Sequence, residues 1–246
     1  MLISEGFPEL VRDLLGEEGS MKPRVLIEVA ASVAVLICAG MMPANASMTL
    51  TLDDGSGNVT NLNDGGSGAI IFNGALSHSV WDANVDVALT YPDLGSQAFP
   101  AIDFDIEEGA STAPGTLIFL LTSTGFGPFE SDTGTATLAI GGSGGNGNVT
   151  AYGMVNGSPV TSLGPFTAAP WSGEIQTNVS GLASTFSIGE EIIITHTVAG
   201  LGQQGDFEFS IIPEPSAFVL AAIGLAGLLV VGRCRKWPVW VVRRAG

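Results

Sequence analysis

Apolar and polar residues alternate with a period of two through most of the middle of the chain. The clearest stretch is 80–90, "VWDANVDVALT", in which Trp81, Ala83, Val85, Val87 and Leu89 alternate with Asp82, Asn84 and Asp86. Successive side chains of a strand point to opposite faces, so this segment reads as a half-buried strand. "AIDFDIEE" sets Ile102, Phe104 and Ile106 against Asp103, Asp105 and Glu107, and "DFEFSII" places Phe207 and Phe209 around Glu208. "GTLIFLLTS" (115–123) and "EEIIITHTV" (190–198) are nearly continuous apolar runs, which suit central strands. Weaker strands are expected at 48–53, 58–62, 69–76, 135–140, 148–155 and 172–179. The pattern predicts an all-β body, a β-sandwich or jelly roll of about ten strands. "TLTLDDGSGNVT" (49–60) resembles "TATLAIGGSGGNGNVT" (135–150), which duplication or shared hairpin chemistry would explain.

Both ends depart from this pattern. Lys22 and Arg24 precede the apolar run Val25–Ala39, followed by Pro43 and Ala44-Asn45-Ala46. This is the order of a secretory signal peptide, and it predicts an N-terminal signal helix within 21–46. Signal peptidase is expected to cut after Ala46, leaving Ser47 first. Lipidation at Cys38 is disfavoured because Ile37, not a small residue, precedes it. Residues 1–20 carry Glu5, Glu9, Asp13, Glu17 and Glu18 against Arg12, which opposes the charge bias ahead of such a segment. Translation is therefore expected to start at Met21, with 1–20 a mis-assigned upstream start.

At the other end, Pro213-Glu214-Pro215 leads into the uncharged run Ala217–Gly232 and then Arg233, Arg235 and Lys236. Proline cannot donate to a ladder, so the last strand is expected to stop at Ile212, leaving Glu214 extended and exposed. As a helix, 217–232 would span about 24 Å at 1.5 Å per residue, against a hydrocarbon core of about 30 Å. A short C-terminal transmembrane helix is expected, with the basic cluster cytoplasmic and 47–212 outside. Residues 237–246, with Trp237, Trp240, Arg243 and Arg244, suit a cytoplasmic or interfacial tail.

Charge sharpens the division. All eight Lys and Arg residues lie outside 47–212, whereas seventeen Asp and Glu lie inside it. Cys38 and Cys234 also fall outside. The exported segment therefore has no Lys or Arg salt bridge and no disulfide, and burial of apolar surface has to hold it. Such a surface repels nucleic acid.

Candidate chemistry is sparse. His78 lies between Ser77 and Ser79, but no G-x-S-x-G elbow or motif-placed acid accompanies it. His196 reads as a strand-edge polar residue, and Glu107-Glu108 and Glu190-Glu191 as exposed acids. No catalytic residue is assigned, and a secreted hydrolase is disfavoured. Calcium is the sharper expectation. Asp53, Asp54 and Asn58 in "DDGSGN", and Asn63 and Asp64 in "NLNDGG", are hard oxygen donors in glycine loops, although neither loop is an EF-hand. Trp81, Tyr91, Tyr152 and Trp171 supply the stacking aromatics that an exopolysaccharide-binding module would need.

Ile212-Pro213-Glu214-Pro215, the short apolar run and the Arg-rich end, together with a signal peptide, resemble the PEP-CTERM sorting signal of exosortase substrates. The resemblance implies a Gram-negative envelope protein, held transiently in the inner membrane by one span. It further implies recognition and cleavage near the Pro-Glu-Pro by an exosortase, then release to the cell surface or outside. Pro213, Glu214, Pro215, Arg233, Arg235 and Lys236 would carry the signal, and biofilm or exopolysaccharide association is expected.

Overall fold

The period-two segments become strands because each buries an apolar parity, but in 80–90 the expected alternation holds only from Trp81 to Val85: a register shift there buries Ala88 and leaves Leu89 half-buried. The computed structural model describes residues 46–144, 147–199, 202–214 and 224–225. By contact, the chain divides into Met1–Pro43 and Ala44–Gly246, and all the described residues belong to the second unit. The strands are β1 (Ser47–Asp53), β2 (Val59–Asn63), β3 (Ala69–Ala75), β4 (Trp81–Leu89), β5 (Ala101–Ser111) and β6 (Gly115–Phe126). They continue with β7 (Thr133–Gly144), β8 (Gly147–Val155), β9 (Ser158–Phe166), β10 (Trp171–Ser180), β11 (Phe186–His196) and β12 (Gln203–Pro213).

These form two six-stranded sheets, ordered β2-β1-β6-β11-β8-β9 and β10-β7-β12-β5-β4-β3. The protein is thus all-β with two sheets, and among the described residues it has twelve strands rather than about ten. The unforeseen one is β9, whose Pro159, Gly164 and Pro165 argue against a strand. It lies at a sheet edge, where missing ladder donors are tolerated. The apolar runs sit where expected, with β6 between β1 and β11, and β11 between β6 and β8. The two similar Gly-rich segments take different structures: β1 pairs with β2, whereas β7 and β8 lie in different sheets.

One apolar core lies between the sheets. Phe104 of β5 meets Phe119 of β6 across it with ring centroids 5.4 Å apart. Phe166 of β9 stacks on Trp171 of β10 at 5.8 Å, joining the sheets along one side. The sheets approach so closely at Gly153 that a Cβ there would overlap the Phe209 ring.

The expected signal helix lies outside the described residues except for Ala46. The expected helix at 217–232 does so except for Gly224 and Leu225, which are helical. Among the described residues no helix is long and apolar enough to cross a membrane. Gly153→Ala is expected to cost about 1–3 kcal/mol through overpacking against Phe209. Thermal unfolding followed by circular dichroism should show a melting temperature lower by several degrees, and an unchanged melt would mean that the interface is looser than this.

Candidate functional site

The Pro-Glu-Pro begins inside the fold. Strand β12 lies between β7 and β5 and buries Phe207, Phe209 and Ile211. It runs through Pro213, which pairs with Gly134, so the expected stop at Ile212 is corrected by one residue. The alternation of the ladder explains how proline fits. The Ile211 N–H donates to Pro100 O on the β5 side, and the Glu214 N–H donates to Thr133 O on the β7 side. The missing donor of Pro213 thus faces the side on which β5 has already ended. Glu214 is exposed, as expected, but not free: Thr133 Oγ1 donates to its Oε2 at 2.7 Å.

A second feature lies on the outer face of the β12 sheet. Asp103 pairs with Glu208, and Asp105 with Asp206, so four carboxylates stand in two facing pairs. Like charges directly opposite are destabilising, and no Lys or Arg is present in 47–212 to compensate. Burial, then the Asp206 charge and hydrogen bond and the charges of Glu208 and Asp105, push Asp103 up to about 6. Asp105 is raised by burial and by Asp206, Asp86 and Glu107. Beside this ladder an open groove of about 440 Å³ is lined by Asn84, Glu107, Ser143, Gly144, Gly202 and Gln204. Asn84 Nδ2 donates to Glu107 Oε2 at 2.7 Å. The lining offers hydrogen bonds to a hydroxylated ligand but no aromatic wall.

Two readings of polar residues are overturned. Glu190 is not an exposed acid: it shares the parity of Ile188, Ile192 and Ile194 and is wholly buried. Neither of its carboxyl oxygens has a hydrogen-bond partner among the described residues. Burial raises it well above the usual carboxylate range, with Asp103, Asp206 and Glu208 adding to the effect. His196 is not at an exposed strand edge either. It is buried at the end of β11, with Nδ1 2.7 Å from Ser111 Oγ and its ring 4.6 Å from that of Trp81. Burial lowers its pKa. The Ser–His distance suits proton transfer, but Ser111 and His196 are 3% and 1% exposed, so a substrate has no path to them. Strand parity was the signal that could have placed both Glu190 and His196 inside.

The calcium candidates fall into two loops at opposite ends of the β1–β2 hairpin. Asp54 Oδ1 accepts from the Ser56 N–H, Ser56 Oγ and the Asn58 N–H, and its Oδ2 accepts from Asn58 Nδ2 at 2.8 Å. The Asn58 hydrogen bond is the largest influence holding Asp54 well below the usual carboxylate range. Asp53 Oδ1 accepts from the Gly55 N–H, and Asn63 Oδ1 from the Gly65 N–H. Asp64 Oδ1 accepts from Met48 and Gly66, and its Oδ2 accepts from Gly68. These donors make each Asp a closure for its own turn. Among the described residues no group of three or more His, Cys, Asp or Glu is placed to hold a metal ion.

Of the stacking aromatics, Trp81 and Trp171 are buried in the core at 1% and 6% exposure. Tyr91 packs against the core, and Tyr152 is half-buried. Among the processing residues, Ala46 is buried, Ser47 opens β1, and Pro213 and Glu214 close the domain. Ala44, Pro215, Arg233, Arg235 and Lys236 lie outside the described residues.

Central strand β12 thus passes without a linker into Pro-Glu-Pro, which the sequence continues with an apolar run and a basic cluster. Residues 212–236 match the family described as PEP-CTERM protein-sorting motif, so the chain carries that motif after its β domain. No curated protein matches the chain. Among solved structures, the adhesin domain of Epf from Streptococcus pyogenes is similar at 9% identity and a TM-score of 0.29, covering 69% of this chain and 60% of that one. A family 29 carbohydrate-binding module from Piromyces equi is similar at 11% identity and a TM-score of 0.20, covering 57% of this chain and 90% of that one. The family 31 α-xylosidase of Xanthomonas citri gives 9% identity and a TM-score of 0.23, covering 71% of this chain and 18% of that one. Scores of this size carry no inference about function.

The acid ladder makes a pH-dependent contribution to stability. Asp103 has a folded pKa of about 6 against an ordinary 3.8, so between those values the folded protein holds more protons than the unfolded chain. Its contribution is whole below the lower value and is lost as pH rises through the upper one. Asp103→Asn is therefore expected to be more stable than the parent at pH 7, by about 1 kcal/mol after solvent screening of a half-exposed group. The gap should close toward pH 4. Urea unfolding of both proteins across this range checks it, and a variant no more stable at pH 7 would contradict it.

Proposed function

We propose that this chain is a non-enzymatic surface or matrix protein, exported through the inner membrane and processed by an exosortase at its C-terminus. The observation that carries the proposal is the sorting motif at residues 212–236. The charge distribution supports it, because every Lys and Arg flanks the β body and none lies within it. Signal peptidase would act first, after Ala46, where the first strand begins.

The finer fold in this proposal is a jelly roll. The strand order supports it: from β5 to β12 successive strands alternate between the sheets, except for the β8–β9 hairpin. Binding of exopolysaccharide is the second reading, favoured by the open polar groove beside Asn84, Glu107 and Gln204. Burial of both body tryptophans weighs against it, since stacking platforms have to be exposed. A neutral or cationic glycan fits the acidic surroundings better than an anionic one. The secreted-hydrolase reading is weaker still, with its best Ser–His pair sealed in the core.

Calcium is proposed as an accessory, on the residue types of the loops around Asp54 and Asp64. Their self-closed geometry makes the expected gain small, a few degrees in melting temperature with millimolar calcium beyond that with magnesium. Equal effects of the two ions would leave the loops as plain turns.

Glu214→Ala tests the sorting proposal. It leaves the apolar segment, the basic cluster and all core residues intact, so a plain membrane anchor is indifferent to it. The wild type is expected to lose about 3 kDa, from the length of the segment beyond Pro215, whereas Glu214→Ala and an exosortase deletion retain it. A wild type that keeps its C-terminal segment in the final envelope fraction, with neither change altering its size, would overturn the proposal.

A further inference from the structure

The Pro-Glu-Pro is partly occupied by the domain it is meant to release. Glu214 donates its N–H to Thr133 O at 3.1 Å and accepts from Thr133 Oγ1 at 2.7 Å. The hydroxyl is itself oriented. Ser131 Oγ accepts from the Thr133 N–H at 3.2 Å and lies 3.1 Å from Thr133 Oγ1. A carboxylate only accepts, so Thr133 spends its proton on Glu214, and Ser131 has to donate to Thr133. The result is a one-way relay, Ser131 to Thr133 to Glu214, that ends on the charged residue of the motif. Charge-assisted bonds of this kind are the stronger ones.

The surrounding ladder limits how far the motif can come away. On the β5 side, β12 is paired only as far as Ser210 with Ala101, and Ile211 reaches Pro100. Beyond that point, among the described residues, the backbone of Ile212, Pro213 and Glu214 pairs only with β7. Ile212 is 56% exposed and Pro213, although on the inward side, is only half-buried, so releasing them uncovers little, whereas Ile211 is 0% exposed and anchors the strand. The segment able to peel without opening the core is therefore 212–214, about 10 Å of extended chain. An enzyme reading Glu214 as extended chain would compete with Thr133 for both its backbone N–H and its carboxylate.

Taking exosortase processing as proposed above, we infer that Thr133 gates it: the folded domain masks Glu214, and release of residues 212–214 from β7 precedes recognition. Thr133 is a positioning residue, acting through Glu214 and not on the reacting bond. Processing rate is then coupled to the local stability of the strand end, so a domain that has closed correctly is processed at a set pace.

Pulse–chase labelling of the full-length protein in its own host, following loss of the C-terminal segment, tests this. Thr133→Val keeps size and strand propensity but removes the donor. It is expected to be processed roughly fivefold faster, the size of one typical net hydrogen bond, since solvent exposure offsets the extra strength of a charged acceptor. Thr133→Ser restores the hydroxyl and should return to the wild-type rate. Ser131→Ala, which leaves Thr133 in place, should give a smaller acceleration and reads the relay if Thr133→Val fails to accumulate. A Thr133→Val rate equal to or below wild type, or a Ser131→Ala rate equal to wild type where that variant is the readout, would overturn the gate. A wild type that is never shortened, with or without exosortase, would instead overturn the processing proposal.

Discussion

Strand β12 is the constraint on which the rest depends. It is paired on both sides along most of its length, and its inward residues Phe207, Phe209 and Ile211 pack in the shared core. Its last residue, Pro213, is also the first of the Pro-Glu-Pro. Fold and address therefore share one piece of backbone. At the other end Ser47 opens β1, and Met48 is already buried. The domain thus fills the interval between the two expected processing points, with no spacer at either.

The second constraint is charge. With seventeen acids and no Lys or Arg between 47 and 212, the charge–charge interactions within this segment oppose folding. Cohesion has to come from apolar burial, and the large rings are spread across both sheets to supply it. Phe104 meets Phe119, Trp171 meets Phe207, and Phe126 meets Phe186. Acids are tolerated where water screens them or where backbone N–H groups bind them, as at Asp54 and Asp64. Where neither holds, protonation is the remaining route, and the raised pKa values of Asp103 and Glu190 mark those places.

Most of the sheet architecture was legible from the alternation of residues, because a strand with one buried face records its burial in its sequence. Trp81 to Val85, Ile102 to Ile106 and Phe207 to Ile211 all show this, whereas the register shift after Val85, which buries Ala88 in place of Leu89, leaves no mark in the alternation. Strand β9 was not legible, since an edge strand need not alternate and can contain proline. Residue type alone puts Glu190 and His196 outside, whereas their parity with Ile188, Ile192 and Ile194 puts them inside. The pairing of Asp103 with Glu208 required knowledge of which strands are neighbours, and the Thr133–Glu214 contact joins residues 81 positions apart. The chemistry of the sorting signal was readable because it is local in sequence. Its attachment to the fold was not, because that is a property of the ladder.

The central claim is that the β domain folds right up to the sorting motif. Hydrogen exchange measured by mass spectrometry on the full-length protein in membranes addresses it directly. Amides of 207–214 should be protected to a degree approaching that of 135–140 in β7, with protection falling only at the last residues. Exchange of 211–214 at the rate of an unfolded chain, beside a protected β7, would contradict it and would mean that the motif hangs free of the domain.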